Sequence, residues 1–522
     1  MVDRASHGPA RRARPIMVQG TGSSVGKSVI CASLCRVFVQ DGYTVYPFKS
    51  QNMALNSYVT HDGGEMGRAQ AVQAEACGME PHVNMNPILL KPGGDGGSQV
   101  VVLGRVWGNL PAKQYESLKP RLEQVVRDSY GEACSAADIV VIEGAGSPAE
   151  INLEDRFVNM GMARIAGAPV ILAGDIDRGG VFASLAGTMM LLDEEDRARV
   201  RGVIINKFRG DLEVLKPGLE KLERIINVPV LGVLPYMDVG VDDEDGATEA
   251  FCRRKVGRDL RIAVVWLPHI SNFTDFTPLQ REPDVSLEYV RSTPFGNPDL
   301  LIIPGSKSTI SDLLYLRQSG LEEEIRRYHA GGGQVMGICG GFQMLGREVR
   351  DPHGVEGSTS VAAGLGLLPT VTWMGEEKRT VRVRARVLPN DGSQIASACS
   401  GQEISGYEIH MGKTTYPRDD RHFCSIIQES GATGAGDSAT ADGWVSDDGR
   451  VTGTYLHGIF ENAAFTRALL DSLRRAKGME PLGFTSEEYA AFKSRQYDLL
   501  ADCFRKHIDV PQVYRILSDR TL

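Results

Sequence analysis

The chain has 522 residues, a formal net charge of −9, 42% hydrophobic and 24% charged residues. That length exceeds what one hydrophobic core organises, so two or three domains are expected. The acidic balance argues against nucleic acid, which needs a broad basic face, but not against anions held locally by backbone amides. No apolar run approaches membrane-spanning length, so no membrane partner is expected. Nine Cys are scattered without a CxxC pair or a zinc-like His spacing, which suits a reducing compartment and predicts a cytoplasmic location.

Residues 1–14 are polar and carry Arg4, Arg11, Arg12 and Arg14 with no apolar segment after them, and read as a disordered tail. The apolar run at 15–19 reads as a buried strand. Gly20-Thr21-Gly22-Ser23-Ser24-Val25-Gly26-Lys27-Ser28 follows, then an apolar helix over 29–40. A strand, a Gly-rich loop ending in GKS and a helix make a phosphate-binding loop. Its amides would cradle phosphates, Lys27 would reach the β and γ oxygens, and Ser28 would ligate magnesium. Gly20 lies one residue further from Lys27 than the common spacing, with Thr21 in the usual place. Cys31 and Cys35 sit one turn apart on that helix as core residues.

A second strand at 44–48 delivers Lys49 to its C-terminal end, the ligand-binding edge of a doubly wound sheet. Glu65 follows in a Gly-rich loop, and 84–97 reads as a long polar loop over the same edge. A buried strand at 137–142 ends in Glu143, suited to a metal ligand opposite the phosphate loop. Strands at 169–174, 201–206 and 228–234 alternate with helical stretches, which predicts a parallel sheet. Asn206 ends one of them, in a position to read a base.

The stretch 238–258 reads as the connection to a second domain. Strands at 261–266 and 299–304 follow, the latter running into Gly305-Ser306-Lys307, then helices over 310–318 and 321–330. Gln334-Val335-Met336 reads as a strand entering Gly337-Ile338-Cys339-Gly340-Gly341, and a helix begins at Phe342. Cys339 between glycines at a strand-to-helix turn fits a nucleophile elbow, whose strained backbone needs small neighbours. The helix N-terminus would favour thiolate, and amides near Gly340 and Gly305 would bind an oxyanion. A Cys nucleophile needs a base. Of the ten His, His410 and His457 are predicted to end strands, and His457 is favoured because Gly458 leaves room beside its ring.

The half from about 260 to 465, with its PGS loop, G-x-C-x-G elbow and late His, resembles a class I glutamine amidotransferase domain. The half from 15 to about 235 resembles the dethiobiotin synthetase-like branch of P-loop ATPases, through its GTGSSVGKS loop, Lys49 and Glu143-Gly144-Ala145-Gly146. In this order, and with Lys49-Ser50-Gln51-Asn52-Met53, Asn206-Lys207-Phe208-Arg209-Gly210-Asp211, the run from Gly406 to Gly412 and Tyr455-Leu456-His457-Gly458, the chain resembles the cobyric acid synthase family. The resemblance implies two doubly wound three-layer α/β domains. Their expected bounds are 15–237 for an ATP-dependent amide synthetase and 259–470 for the amidotransferase, with 471–522 a C-terminal helical segment. That segment is predicted to dock an amphipathic helix capped by Thr485 with Glu488.

The resemblance also implies glutamine hydrolysis at Cys339 and His457, ATP bound by residues 20–28 with Lys49 and Asn206, and magnesium held by Ser28, Glu143 and Glu65. The implied substrate is adenosylcobyrinic acid a,c-diamide, amidated at carboxylates b, d, e and g. The usual acid two residues after the His is replaced by Ile459, and the nearest acid is Glu461, so a Cys-His dyad is expected. Two alternatives stand beside this reading. One is the related cobyrinic acid a,c-diamide synthase. The other is a ParA-like switch ATPase with a non-catalytic second domain, disfavoured by the presence of both Cys339 and His457.

Overall fold

The computed structural model describes residues 13–92, 97–152, 154–237, 257–357, 359–429, 440–482 and 488–519. The expected tail at 1–12 and most of the expected connection, 238–256, lie outside the described residues. Arg14 already belongs to the first strand, which shortens the expected tail by two residues because Ala13 is buried in the core.

The first domain is built on six parallel strands: β1 (Arg14–Gly20), β2 (Val45–Phe48), β3 (Ile139–Glu143), β4 (Val170–Asp175), β5 (Val200–Phe208) and β6 (Val230–Pro235). Their order is β6-β5-β4-β1-β3-β2. β3 and β4 are buried at every position, as strands covered by helices on both faces must be, and this is why they read as continuous apolar runs. β1 lies between β4 and β3, where the connections diverge to opposite sides, so the loop after Gly20 opens into the crevice that such sheets use for ligands. Helix α1 (Lys27–Gln40) leaves that loop.

The stretch 84–97 is not a simple loop. Ile88–Pro92 joins Gln51–Met53, Gly97–Val102 and Arg105–Pro111 in a four-stranded sheet, and 93–96 lie outside the described residues. The pairing with Gly97–Val102 is antiparallel. Only three consecutive apolar residues, Ile88, Leu89 and Leu90, betray the strand in the sequence.

The second domain repeats the plan with β7 (Leu260–Val265), β8 (Val285–Val290), β9 (Leu300–Ile303), β10 (Val335–Ile338), β11 (Trp444–Val445) and β12 (Val451–Thr454). The order is β8-β7-β9-β10-β12-β11, parallel except for β11. A second, largely antiparallel sheet, built on the long strands Val371–Val387 and Glu403–Thr415, packs beside it.

The helix Ala463–Ala476 crosses the expected domain boundary at 470 and packs on the second domain, sharing its core through Phe465, Leu469 and Leu473. The chain then returns to the first domain as α2 (Tyr489–His507) and α3 (Val510–Ser518). Tyr497, Leu500, Phe504 and Val513 share one core with Ile30, Leu34 and Phe38 of α1. Arg36 pairs with Asp498 at 2.8 Å and Lys493 with Glu75 at 2.7 Å. Glu488 occupies the N-cap of α2, whereas a capping box with Thr485 would need it three positions inside the helix, so the expected cap is corrected. Thr485 itself lies outside the described residues.

The two domains meet along a polar seam. Lys378 Nζ contacts Glu65 Oε2 at 2.5 Å, Arg382 donates to Tyr58 Oη at 2.6 Å, and Arg68 pairs with Glu461 at 3.1 Å. Phe504 is fully buried between α2 and the helix of the phosphate loop. Phe504→Ala is expected to cost about 3 kcal/mol in urea-induced unfolding. A cost below about 1 kcal/mol would mean that the returning helices are not part of the first domain's core.

Candidate active site

The loop after β1 has the conformation its glycines predict. Gly26 lies at φ 93° and Ser24 at φ 58°, both left-handed, and a Cβ on Gly26 would collide with Asn206. Lys27 Nζ donates to the carbonyls of Gly22 at 2.8 Å and Gly146 at 3.2 Å, curling over the loop. Asn206 is buried beneath the loop, donating from Nδ2 to Val25 O at 2.9 Å. Through this bond it braces the loop's shape, with its Oδ1 not engaged in it. Lys207 does the same through Ser24 O at 2.8 Å.

Glu143 is the centre of this half-site. Its Oε1 accepts from Ser28 Oγ at 2.9 Å and from Lys49 Nζ at 2.8 Å, and Gln73 and Gln70 donate to Oε2. Burial pushes the carboxyl up, but Lys49, Gln73 and Lys27 outweigh it and hold the group below the ordinary carboxylate range. Ser28, Lys49 and Glu143 are therefore brought together as the sequence predicts. Glu65 is not available to a metal. Its Oε1 accepts from Lys91 Nζ and Ser57 Oγ, each at 2.7 Å, while Oε2 holds Lys378. Two ammonium groups already neutralise it, and it serves the domain seam.

In the second domain Cys339 is a non-glycine residue at φ 50°, ψ −107°, between β10 and the short helix Gly340–Leu345. A Cβ on Gly341 would strike Ile303 O, and one on Gly340 would stand 2.8 Å from Ser306 N. The elbow thus needs its glycines in order to press against the loop carrying Gly305 and Ser306. Gly340 opens that helix, where an amide has no intrahelical acceptor.

Adjacent strands bring the base to the nucleophile. Ile338 of β10 is in register with Thr454 of β12, and Cys339 N donates to Thr454 O at 2.8 Å. β12 ends at Thr454, three residues before His457, which corrects the expectation that His457 ends a strand. A paired bridge to Tyr407 holds His457, with ring centroids 5.2 Å apart, and Cys339, whose Sγ lies 3.7 Å from Ile409 O, is near enough to its ring to favour the charged imidazole. His410 is not the base. It lies within the strand Glu403–Thr415, stacked on Tyr455 at 3.9 Å, with its Nδ1 on Gly412 O at 2.7 Å.

The pair is a triad after all. His457 Nδ1 donates to Asp275 Oδ2 at 2.6 Å, and Asp275 Oδ1 accepts from Gly458 N at 3.1 Å. Asp275 lies in the turn Phe273–Phe276, 182 positions from His457 in sequence. Glu461, the acid nearest in sequence, is spent on Arg68. The one signal for Asp275 in the sequence is a carboxylate between Phe273 and Phe276, ten residues beyond the strand end at Val265.

The comparisons agree with both halves. Residues 16–245 match the CobQ/CobB/MinD/ParA nucleotide binding domain, and residues 261–465 match the CobB/CobQ-like glutamine amidotransferase domain. A cobyric acid synthase from Thermoanaerobacter sp. (strain X514) is 52% identical over 96% of this chain and 98% of its own length. One from Citrobacter koseri is 51% identical over 96% of this chain and 98% of its own, and one from Clostridium novyi 50% over 97% and 98%. The chain belongs to the cobyric acid synthase family. It is an ATP-dependent ligase with a glutamine amidotransferase domain, and the ParA-like reading with a non-catalytic second domain falls away.

Within this cobyric acid synthase family site, the electrostatics of His457 follow from its neighbours. Burial opposes its charging, but Asp275 and Cys339 outweigh burial and push the imidazole up to about 10. That is above the ordinary 6.5, so the pair stabilises the fold fully below pH 6.5 and the contribution fades as pH rises towards 10. NMR titration of His457 is expected to place its midpoint well above 6.5, and Asp275→Asn to bring it down. A wild-type midpoint at or below 6.5 would contradict this.

Proposed function

We propose that this enzyme hydrolyses glutamine at Cys339 and delivers the ammonia to a corrinoid carboxylate activated by ATP at the loop of residues 20–28. The observation that carries the reading is the Cys339–His457–Asp275 relay of the second domain, set against a first domain whose Ser28, Lys49 and Glu143 converge beside a phosphate loop. Asp275 holds the His457 tautomer with Nε2 towards the thiol. His457 takes the Cys339 proton, the sulfur attacks the glutamine amide carbon, and amides around Gly340, Ser306 and Gly305 receive the developing oxyanion. His457 returns the proton to the leaving ammonia, and water hydrolyses the thioester.

In the first domain, Lys27 and Lys49 neutralise the triphosphate while its γ-phosphoryl group passes to a substrate carboxylate. Ammonia then displaces phosphate from the acyl phosphate, giving a carboxamide. Ser28 Oγ and Glu143 suit magnesium, because that ion takes one or two carboxylates and completes its shell with phosphate and water. When bound, magnesium would supply charge neutralisation at the phosphates. Among the described residues no group of three or more His, Cys, Asp or Glu is placed to hold a metal ion.

The names of the relatives point to a corrinoid acid as substrate, and the resemblance narrows it to adenosylcobyrinic acid a,c-diamide, amidated at carboxylates b, d, e and g. The free thiols at every described cysteine suit a cytoplasmic setting. Among the described residues no helix is long and apolar enough to cross a membrane.

Cys339→Ala is expected to abolish glutamine-dependent amidation and to leave ammonia-dependent amidation intact. Mass spectrometry of the corrinoid counts the carboxylates converted. Four conversions support this reading, two support the a,c-diamide synthase, and none refutes both. Loss of the ammonia-dependent reaction in a folded Cys339→Ala enzyme would refute the two-site division.

A further inference from the structure

A second acid–imidazole pair lies beside the one formed by Asp275 and His457. Asp312, in the first turn of the helix Thr309–Gln318, is fully buried. Its Oδ1 accepts from His269 Nδ1 at 2.8 Å and lies 3.4 Å from His269 N, while Oδ2 accepts from Ser306 Oγ at 2.6 Å. A carboxylate withdrawn from water is costly unless its oxygens are engaged, and these are. They are not spent on the start of the helix, where Ile310 N donates to Glu356 Oε2 at 2.9 Å instead. The bond to Asp312 pushes the His269 imidazole above its ordinary 6.5. Nδ1 carries its proton in the neutral ring as well, so the contact does not depend on that charge.

Ser306 is fixed through both its side chain and its backbone. Oγ gives its one proton to Asp312 and accepts from Ser308 N at 2.9 Å. An antiparallel bridge pairs Ser306 with Ile270, made by Ser271 N to Gly305 O at 3.0 Å and Lys307 N to His269 O at 2.9 Å. Both bonds belong to the neighbours of Ser306, and amides alternate in direction along an extended chain, so its own N–H faces the other side. There it meets the elbow. A Cβ on Gly340 would stand 2.8 Å from Ser306 N, and one on Gly305 would stand 3.0 Å from His457 Cε1. Among the described residues Ser306 N has no acceptor.

We infer that His269 and Asp312 are positioning residues for the glutamine reaction, holding Ser306 so that its amide and that of Gly340 receive the oxyanion formed as Cys339 attacks. His269 Nδ1–H locks the carboxylate, the carboxylate holds Ser306 Oγ, and the hydroxyl pins the loop that aims the N–H. Such a donor is effective only when it is aimed before the charge develops. A misplacement of about 1 Å is enough to lose much of the benefit. His269 and Asp275 both follow β7 in one connection, so a single segment sets the oxyanion donor and the base.

The inference rests on the proposed glutaminase reaction, and the test keeps the two apart. Glutamate release is measured for the full-length enzyme as kcat and KM, with ammonia-dependent amidation reporting a folded chain. Ser306→Ala keeps the N–H but frees it, and His269→Ala removes the lock on Asp312. Each is expected to lower kcat roughly tenfold, with KM for glutamine within about twofold of wild type, because the lost interaction is made only in the transition state. His269→Asn keeps an N–H donor for Asp312 and is expected to restore most of the rate. Adding His269→Ala to Ser306→Ala is expected to cost less than about twofold more, since both act through one hydroxyl. Unchanged kcat in both single variants, or losses that multiply in the double variant, would overturn the inference. So would a rise in KM alone, His269→Asn as slow as His269→Ala, or loss of ammonia-dependent amidation in both single variants, which would reduce the contacts to packing. A wild-type enzyme that releases no glutamate would refute the functional reading instead.

Discussion

One hydrogen bond, from His457 Nδ1 to Asp275 Oδ2, organises the second domain's chemistry. It joins the end of the β12 connection to a turn that follows β7, so it exists only when the sheet β8-β7-β9-β10-β12-β11 is assembled. The same sheet places Cys339 one strand away from His457. Burial of these groups has a cost, since an imidazole and a carboxylate are withdrawn from water. The cost is offset because Asp275 is doubly engaged, by His457 and by the amide of Gly458.

The turn that carries Asp275 is also where the domains touch. Asn56 and Ser57 grip it from one side, and Glu65, Lys91 and Lys378 form an ionic cluster beside them. Glu65 is held far below the ordinary carboxylate range by Lys378 and Lys91 despite its burial, so it stays charged and keeps the seam attractive. Burial lowers Lys378 to about 8, with Glu65 opposing that shift. The returning helices α2 and α3 reinforce the arrangement, because the chain that leaves the second domain ends packed on the helix of the phosphate loop.

Much of this was legible in the sequence because the relevant signals are local. The phosphate loop, the Cys339 elbow and the buried parallel strands each depend on residues within about ten positions of one another, through glycine conformations and continuous apolar runs. What was not legible depends on distant pairing. Asp275 has no spacing rule to His457, so Ile459 at the usual position reads as a missing acid rather than a relocated one. Glu65 looked like a ligand because it is a carboxylate in a Gly-rich loop, and only the fold reveals the lysines that neutralise it. The bond from Asn206 Nδ2 to Val25 O likewise joins residues far apart in sequence, so its part in shaping the loop is not legible there. The strand at Ile88–Pro92 is defined by its antiparallel neighbour rather than by its own three apolar residues.

The central claim is that Asp275 completes the glutamine site and has no part in the ATP-dependent half. Glutamine-dependent and ammonia-dependent amidation measured side by side for Asp275→Asn test it most directly. The expected result is a fall of about 10²-fold or more in the glutamine-dependent rate, with the ammonia-dependent rate unchanged. Equal rates with both nitrogen sources at wild-type level, or an equal fall in both, would contradict it.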